Sequence, residues 1–384
     1  MSFYVEPGAV SGLALLVLRN AEGMHGHHEL ICRSAPSDWS EGILLNLIAP
    51  KLDEMQEQAK LDTGRAASLL ATCGAELEAG AAYYADANNR AKLAIEDAKY
   101  PYEGIEPREI ERGDVADPGG AERFDDAEPL DRDPRHPERS VGPGPYPLPE
   151  PTEQDGAGEE WALPLENVLN RLTSAASMAG HVRGALVQLL GVDPFEVVLR
   201  FVSGDWEPVM RNGMALQNLG QVGNWLATNV ERGLYAVQDR WTGNAADAAA
   251  AWLQQYTAAA RGLALWGAQA GFSVQNFAST AYHAFEAMDG YLNLIIDILI
   301  DVVAKIPALI GGGITMANAE SFEEMMDAIA SMMMAWSELS TIIDSLTARA
   351  HEFLGIASNH SDGSRPVTSA TWPPELGGFN REEF

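Results

Sequence analysis

Apolar residues recur at helical spacing along two long stretches, and this periodicity constrains the fold more than any other feature of the chain. The stretches cover about 208–239 and 245–288, and Trp241-Thr242-Gly243 separates them. A spacing of three to four residues is typical of an amphipathic helix, so two arms joined by a tight turn predict an antiparallel helical hairpin. The apolar positions are Val209, Leu216, Leu219, Leu226, Val230 and Val237 in the first arm, and Ala249, Trp252, Tyr256, Leu263, Ala270, Val274, Phe277 and Ala281 in the second.

The same period occurs in the N-terminal part, residues 1–98. Pro7 opens a predicted helix that continues to about Arg33, and a second helix runs from Ile43 or Pro50 to about residue 98. The turn between them contains Trp39-Ser40-Glu41-Gly42, which is one residue longer than the Trp-x-Gly spacing of the other hairpin. Apart from an extended tail after Asn359, no stretch alternates convincingly like a strand. We therefore predict an all-α fold in which long antiparallel hairpins form a helical bundle.

Residues 99–160 differ in composition from both flanks. Positions 101–160 contain eleven Pro, eight Gly and eighteen Asp or Glu, which leaves too little apolar surface to offset the entropy of ordering. We predict a disordered acidic linker, with local polyproline II geometry over 141–151, that acts as a spacer or else as a binding segment. The linker would separate the N-terminal unit from a helical region at 161–357, which begins with a short helix over 163–190 and is followed by a tail at 358–384.

The most apolar stretch lies at 291–306, after the second hairpin. Asn293, Asp297, Asp301 and Lys305 recur every four residues and form one polar stripe, and Pro307 follows them. We interpret this stretch as a helix buried on three sides. The alternative is insertion into a membrane with the polar stripe facing inward, although the polar residues make it a poor spanning segment. Gly311–Gly313 then predicts a turn into a last, Met-rich helix over about 321–354.

No residue pattern predicts catalysis, a cofactor or a metal site. His25 and His28 have helical i,i+3 spacing, but no second ligand set accompanies them, so we interpret the cluster as solvated. Cys32 and Cys73 would lie about 30 Å apart in a simple hairpin, which is too far for a disulfide, and we expect both to be buried. A net charge of −30 argues against nucleic acid and against anionic lipid as partners.

Two short motifs together resemble a known protein family. Trp241-Thr242-Gly243 is followed by Tyr282-His283-Ala284-Phe285-Glu286, which has the form Tyr-x-x-x-Glu. This pair resembles the bipartite mark of the WxG family of ESX (type VII) secretion substrates in actinobacteria. The resemblance covers 208–288 well and 7–98 loosely. It implies that Trp241 and Gly243 form the hairpin turn and that Tyr282 and Glu286 are read by the secretion machinery. Trp39 and Gly42 would be a degenerate copy of the turn.

The resemblance implies a larger secretion-associated member of that system that acts through helical contacts and catalyses no reaction. The protein would be secreted or displayed on the cell surface by a leaderless route, after a cytoplasmic stage. Its partners would be the ESX machinery or a helical protein, with self-association as a further option. The alternatives are a delivery or adaptor chain for a separately encoded toxin, with 371–384 as a vestigial junction or a docking peptide, and a membrane-active effector that uses 291–306.

The indole of Trp241 allows two interpretations. It either packs over the ends of the two arms or projects outward as an anchor for a partner. We expect packing, because the small residues Ala245, Ala246 and Ala248 leave space for the ring at the start of the second arm. Gly243 is expected to adopt positive φ, and Tyr282 and Glu286 are expected to be exposed near the end of their helix.

Overall fold

The computed structural model describes residues 4–34, 42–99, 184, 187–188, 190–204, 206–312, 316–361 and 372–376. Six helices and one small two-stranded sheet make up this part of the chain. The all-α prediction is confirmed. The helices are α1 (Pro7–Arg33), α2 (Ile43–Lys99), α3 (Pro194–Val202), α4 (Glu207–Val237), α5 (Asn244–Gly312) and α6 (Met316–Ser361). The strands are β1 (Tyr4–Val5) and β2 (Trp241–Thr242), which pair antiparallel.

The helix ends follow local signals in the sequence. Pro7 occupies the first turn of α1, where a backbone N–H would have no carbonyl acceptor within the helix, so its absence costs no hydrogen bond. Gly191 has φ +76° and ends the helical conformation before it. The Asp193 carboxylate then caps α3 by accepting from the backbone N–H groups of Phe195 and Glu196. We had interpreted 191–194 only as a break. It is also the start of α3, which the predicted order of elements lacked.

Two antiparallel hairpins, α1–α2 and α4–α5, supply the frame, and α6 returns along the second half of α5. The ring of Phe277 on α5 lies 5.2 Å from that of Phe353 on α6. The apolar stripes predicted for α4 and α5 form one core together with buried residues of α1 and α2. Fully buried positions such as Leu13, Leu52 and Leu219 show that these stripes face each other across the helices.

Buried amides connect the two hairpins. The Asn229 side chain on α4 donates to the Asn20 Oδ1 atom on α1 at 2.9 Å, and Asn212 on α4 donates to Gln56 Oε1 on α2 at 3.1 Å. All four of these side chains are buried. A shift of one hairpin along the other would leave these groups without partners in an apolar environment, so they specify the alignment of the hairpins.

Glycines allow α4 and α5 to approach at backbone distance. A Cβ atom at Gly271 would lie 2.6 Å from the carbonyl oxygen of Gly213, and one at Gly267 would lie 2.9 Å from that of Leu216. Gly220 faces the Ala268 backbone in the same way. Small residues therefore form the crossing between the arms, and the atoms that oppose them belong to rigid backbone rather than to adaptable side chains.

Gly271→Ala is expected to destabilise the protein by about 1–3 kcal/mol, since the added methyl group overpacks this crossing. Gly290→Ala on the same helix is the matched control. Among the described residues beyond its own helical turn, no heavy atom lies within 4 Å of the added Cβ. That substitution is expected to stabilise by about 0.5–1 kcal/mol through helix propensity. Urea unfolding of both variants measures the difference. A Gly271→Ala variant as stable as Gly290→Ala would contradict the close crossing.

Several predicted boundaries were wrong. The helix expected at 245–288 continues through the apolar stretch and Pro307 to Gly312, and the last helix extends from Met316 to Ser361, beyond both predicted ends and into the predicted tail. Proline breaks a helix only where the freed carbonyl and the ring cannot be accommodated, as Pro50 inside α2 also shows. The acidic linker and nearly all of the helix predicted at 163–190 lie outside the described residues.

Candidate recognition sites on the second hairpin

The Trp-x-Gly segment is the connection between α4 and α5. The backbone N–H of Arg240 donates to Val237 O at 2.9 Å, which closes the end of α4, and Asp247 N donates to Gly243 O at 3.0 Å in the first turn of α5. Gly243 has φ +113°, as expected from the sequence. A side chain is strained in that conformation, so the turn requires glycine at this position.

An N-terminal strand holds the turn in place, and no strand pattern in the sequence had indicated it. Val5 pairs with Trp241 and Tyr4 with Thr242, and Glu6 N donates to Arg240 O at 2.8 Å. The Arg240 guanidinium also lies 3.7 Å from the Glu6 carboxylate. The start of the first hairpin is therefore fastened to the turn of the second. Two-residue strands are too short for an alternating pattern to reveal them.

The side chain of Trp241 packs inside the protein and is 7% exposed, as expected. Its indole lies between two cavities of about 450 and 490 Å³. Ala246 lines the smaller cavity, and Ala245 and Ala248 line the larger one, so the predicted alanines provide the space around the ring. The indole Nε1 atom is buried and has no hydrogen-bond partner among the described residues.

The Tyr-x-x-x-Glu residues share one face of α5. Glu286 is exposed as expected, whereas Tyr282 is half-buried and not exposed as expected. The His283 ring between them contacts the Tyr282 ring edge-on at 5.4 Å and lies 3.2 Å from the Glu286 carboxylate. We had placed this motif near a helix end, which is wrong, because α5 continues to Gly312. At a helical rise of about 1.5 Å per residue, Tyr282 lies roughly 55–60 Å along α5 from the turn. The two motifs are therefore far apart on the molecule.

The degenerate turn is only partly visible, since Trp39 lies outside the described residues. Gly42 has φ +87°, and a Cβ atom at this position would overlap the backbone carbonyl of Ser203. The glycine therefore serves close packing between the start of α2 and the end of α3. Tyr83 and Tyr84, near the other end of α2, line the larger cavity beside Trp241.

The histidine and cysteine residues of the N-terminal hairpin differ in burial. His28 shares a hydrogen bond of 2.9 Å with Thr63 and His27 is buried, so the cluster is less solvated than we predicted. Cys73 is buried, and this burial raises the pKa of its thiol to about 12. Cys32 is exposed, contrary to expectation, because it lies outside the buried stripe of α1. Among the described residues, no group of three or more potential metal ligands comes together.

The apolar stretch after Tyr291 is buried along one stripe rather than on three sides. Leu292, Ile295 and Leu299 are buried, whereas Leu294 and Ile300 are 45% and 57% exposed. The helix α6 packs against α5, and the opposite side of this stretch carries the exposed residues. Within the described residues, no helix has a segment that is long and apolar enough to cross a bilayer.

The sequence did not assign a role to a further cluster of aromatic residues. Trp252 and Tyr256 on α5 meet Trp372 from the C-terminal segment, which lies against α2 and α5. The sequence assigns Trp252 and Tyr256 only to the apolar stripe, and nothing in the spacing connects them to a residue more than a hundred positions later.

Comparison with known proteins found no matching family model, no matching curated protein and no matching solved structure.

Proposed function

We propose that this protein is a substrate or secretion-associated protein of an ESX (type VII) system that acts through helical protein–protein contacts. One observation carries the proposal. A Trp-x-Gly turn with a buried Trp241 joins two long antiparallel helices, and the second of these helices presents Tyr282 and Glu286 on one face. The exposed carboxylate and the half-buried phenol lie one helical turn apart, so a single groove of the export machinery can contact both.

The first hairpin supports the proposal because it fills the place of a partner. In the family that the motifs resemble, small hairpins pair with a separate helical chain. Here α1 and α2 pack against α4 in the same chain, through an apolar core and the Asn20–Asn229 hydrogen bond. A hairpin whose apolar face is already covered needs no second chain to become stable, which suits a longer, self-contained member.

A surface for a further partner lies on the distal arm, the part of α5 and α6 after residue 289. Phe322, Met326 and Met333 on α6 have helical spacing and are 47–54% exposed, and Ile300 on α5 is exposed as well. Residues 289–344 contain nine Asp or Glu and one Lys. An apolar stripe with adaptable Met side chains and acidic flanks fits an amphipathic helix that carries basic residues. We propose that such a helix is the contact made by a partner protein.

Glu286→Ala is expected to abolish export while it leaves folding intact. The carboxylate is exposed and its nearest partner is the exposed His283, so its loss should change stability by less than about 0.5 kcal/mol. Tyr282→Ala is expected to abolish export as well, with a larger effect on melting because the ring is half-buried. The measurement compares the protein in culture supernatant and in cells, in the native host with and without a functional ESX ATPase.

His283→Ala is the matched control. This residue lies between the two motif positions and is at least as exposed, but it is an unspecified position of the motif. The control protein should be exported like the parent. Normal export of Glu286→Ala, or equal loss of export for His283→Ala, would remove the support for the motif as a signal.

A further inference from the structure

The C-terminal segment Trp372–Leu376 occupies a groove between α2 and α5. The Trp372 side chain is 4% exposed, and Pro373 beside it is buried. Ten residues, 362–371, separate the segment from the end of α6 at Ser361. A stretch of ten residues spans at most about 35 Å. The segment is held in the groove by its own contacts.

Two aromatic rings on α5 form the floor of the groove, and the Trp372 ring packs against one of them. On α5, the rings of Trp252 and Tyr256 stack at 5.8 Å with an angle of 17° between their planes. The Trp372 ring lies 5.3 Å from Tyr256 at an angle of 51°. The Tyr256 hydroxyl donates to Ala66 O on α2 at 3.1 Å, which fixes the ring across the junction of the two helices. The platform is held rigid by the fold before any ligand contacts it.

Two polar groups orient the segment. Trp252 Nε1 donates to the carbonyl oxygen of Pro374 at 2.9 Å, and the Trp372 indole N–H donates to Asp62 Oδ1 at 3.4 Å. The other Asp62 oxygen accepts from Gln58 at 2.5 Å, so the carboxylate is held in position. Proline has a carbonyl acceptor but no N–H, and a groove that offers it an indole donor and an aromatic wall matches that chemistry.

The groove continues into the larger cavity beside Trp241. Leu376 lines that cavity together with Cys73, Leu77 and Trp252, and its walls are mainly apolar. The contacts therefore follow a sequence order: an indole, two prolines and, two positions later, an aliphatic side chain. Extended proline-rich ligands bind other aromatic grooves by the same combination of ring packing and a hydrogen bond to a prolyl carbonyl.

We propose that the α2–α5 groove is a binding site for extended Trp-Pro-Pro peptides, and that the chain's own tail is its resident, displaceable ligand. The occupant in trans is a partner segment with the same chemistry, namely an indole followed by two prolines and an aliphatic residue. Because the segment belongs to the same chain as the groove, it competes intramolecularly with any separate ligand and limits access to the groove. This site is independent of the export motif and requires no change in the bundle.

The test uses the full-length Trp372→Ala variant and a fluorescently labelled peptide with the sequence of residues 370–377. In this variant the tail loses its buried anchor, and the labelled peptide should bind saturably and at least tenfold more tightly than it binds the parent chain. A peptide with alanine in place of its tryptophan should not bind. Adding Trp252→Phe to the variant removes the donor to the prolyl carbonyl and should weaken binding about fivefold.

A second measurement keeps the proposal testable if Trp372→Ala folds poorly. A protease site placed within 362–371 allows the tail to be cut after the parent protein has folded. The cut tail should dissociate on dilution, and the labelled peptide should then enter the groove with the same preference for tryptophan. Equal, unsaturable binding to all of these proteins would overturn the proposal. A parent dimer that Trp372→Ala abolishes would overturn the separate partner and identify a second copy as the occupant.

Discussion

Replacing Trp241 with alanine is expected to lower the free energy of unfolding by about 3–5 kcal/mol, as for other large buried aromatic residues. The indole is 7% exposed and is the shared wall of the two cavities at the hairpin turn. Its removal would leave the ends of both arms without the ring that separates these spaces, and close packing around it would be lost. Urea unfolding followed by circular dichroism at 222 nm gives the value.

Trp241→Phe is the matched control for this substitution. It retains an aromatic ring but removes the buried Nε1–H, which has no partner among the described residues. An unsatisfied buried donor costs about 1–3 kcal/mol, so this variant should lose much less stability than the alanine variant. If Trp241→Ala melts like the parent and only a binding function is lost, then the indole acts as a partner anchor instead of a packing residue.

The helical arms were predictable because their signal is local and repeated. Each turn of α4 and α5 repeats the apolar spacing, and the ends of α1 at Pro7 and Arg33 were placed correctly for the same reason. The extent of α5 was not predictable from Pro307. Whether a proline ends a helix depends on what surrounds it in the folded protein, and the local sequence does not contain that information.

The candidate sites also contain some features that the sequence predicts and others that it does not. Gly243 at positive φ and Trp241 among small residues follow from the turn itself, so the sequence indicated both. Pairing of Val5 with Trp241 and docking of Trp372 onto Tyr256 connect positions more than a hundred residues apart. Nothing in the spacing of either segment specifies its counterpart. These contacts form only where the packed helices bring the segments together, so they are consequences of tertiary packing.

Tyr256→Ala is expected to have an effect as large as Trp241→Ala, at about 3–5 kcal/mol. The side chain is fully buried, and its ring stacks on Trp252 and contacts Trp372. Burial raises the pKa of the Tyr256 hydroxyl well above its usual value, so the group remains a hydrogen-bond donor to Ala66 O at neutral and mildly alkaline pH. The substitution therefore removes the aromatic platform and the link between α2 and α5 together.

Tyr256→Phe separates these two contributions. The ring and its stacking remain, while the hydrogen bond to Ala66 O is lost, so the expected cost is about 0.5–1.5 kcal/mol. The two variants also differ in how they affect the tail, since only the alanine variant removes the surface against which Trp372 packs. Protease cleavage after residue 361 should therefore accelerate in Tyr256→Ala and stay near the parent rate in Tyr256→Phe. Equal stability of the two variants would show that the hydroxyl, not the ring, holds the groove together.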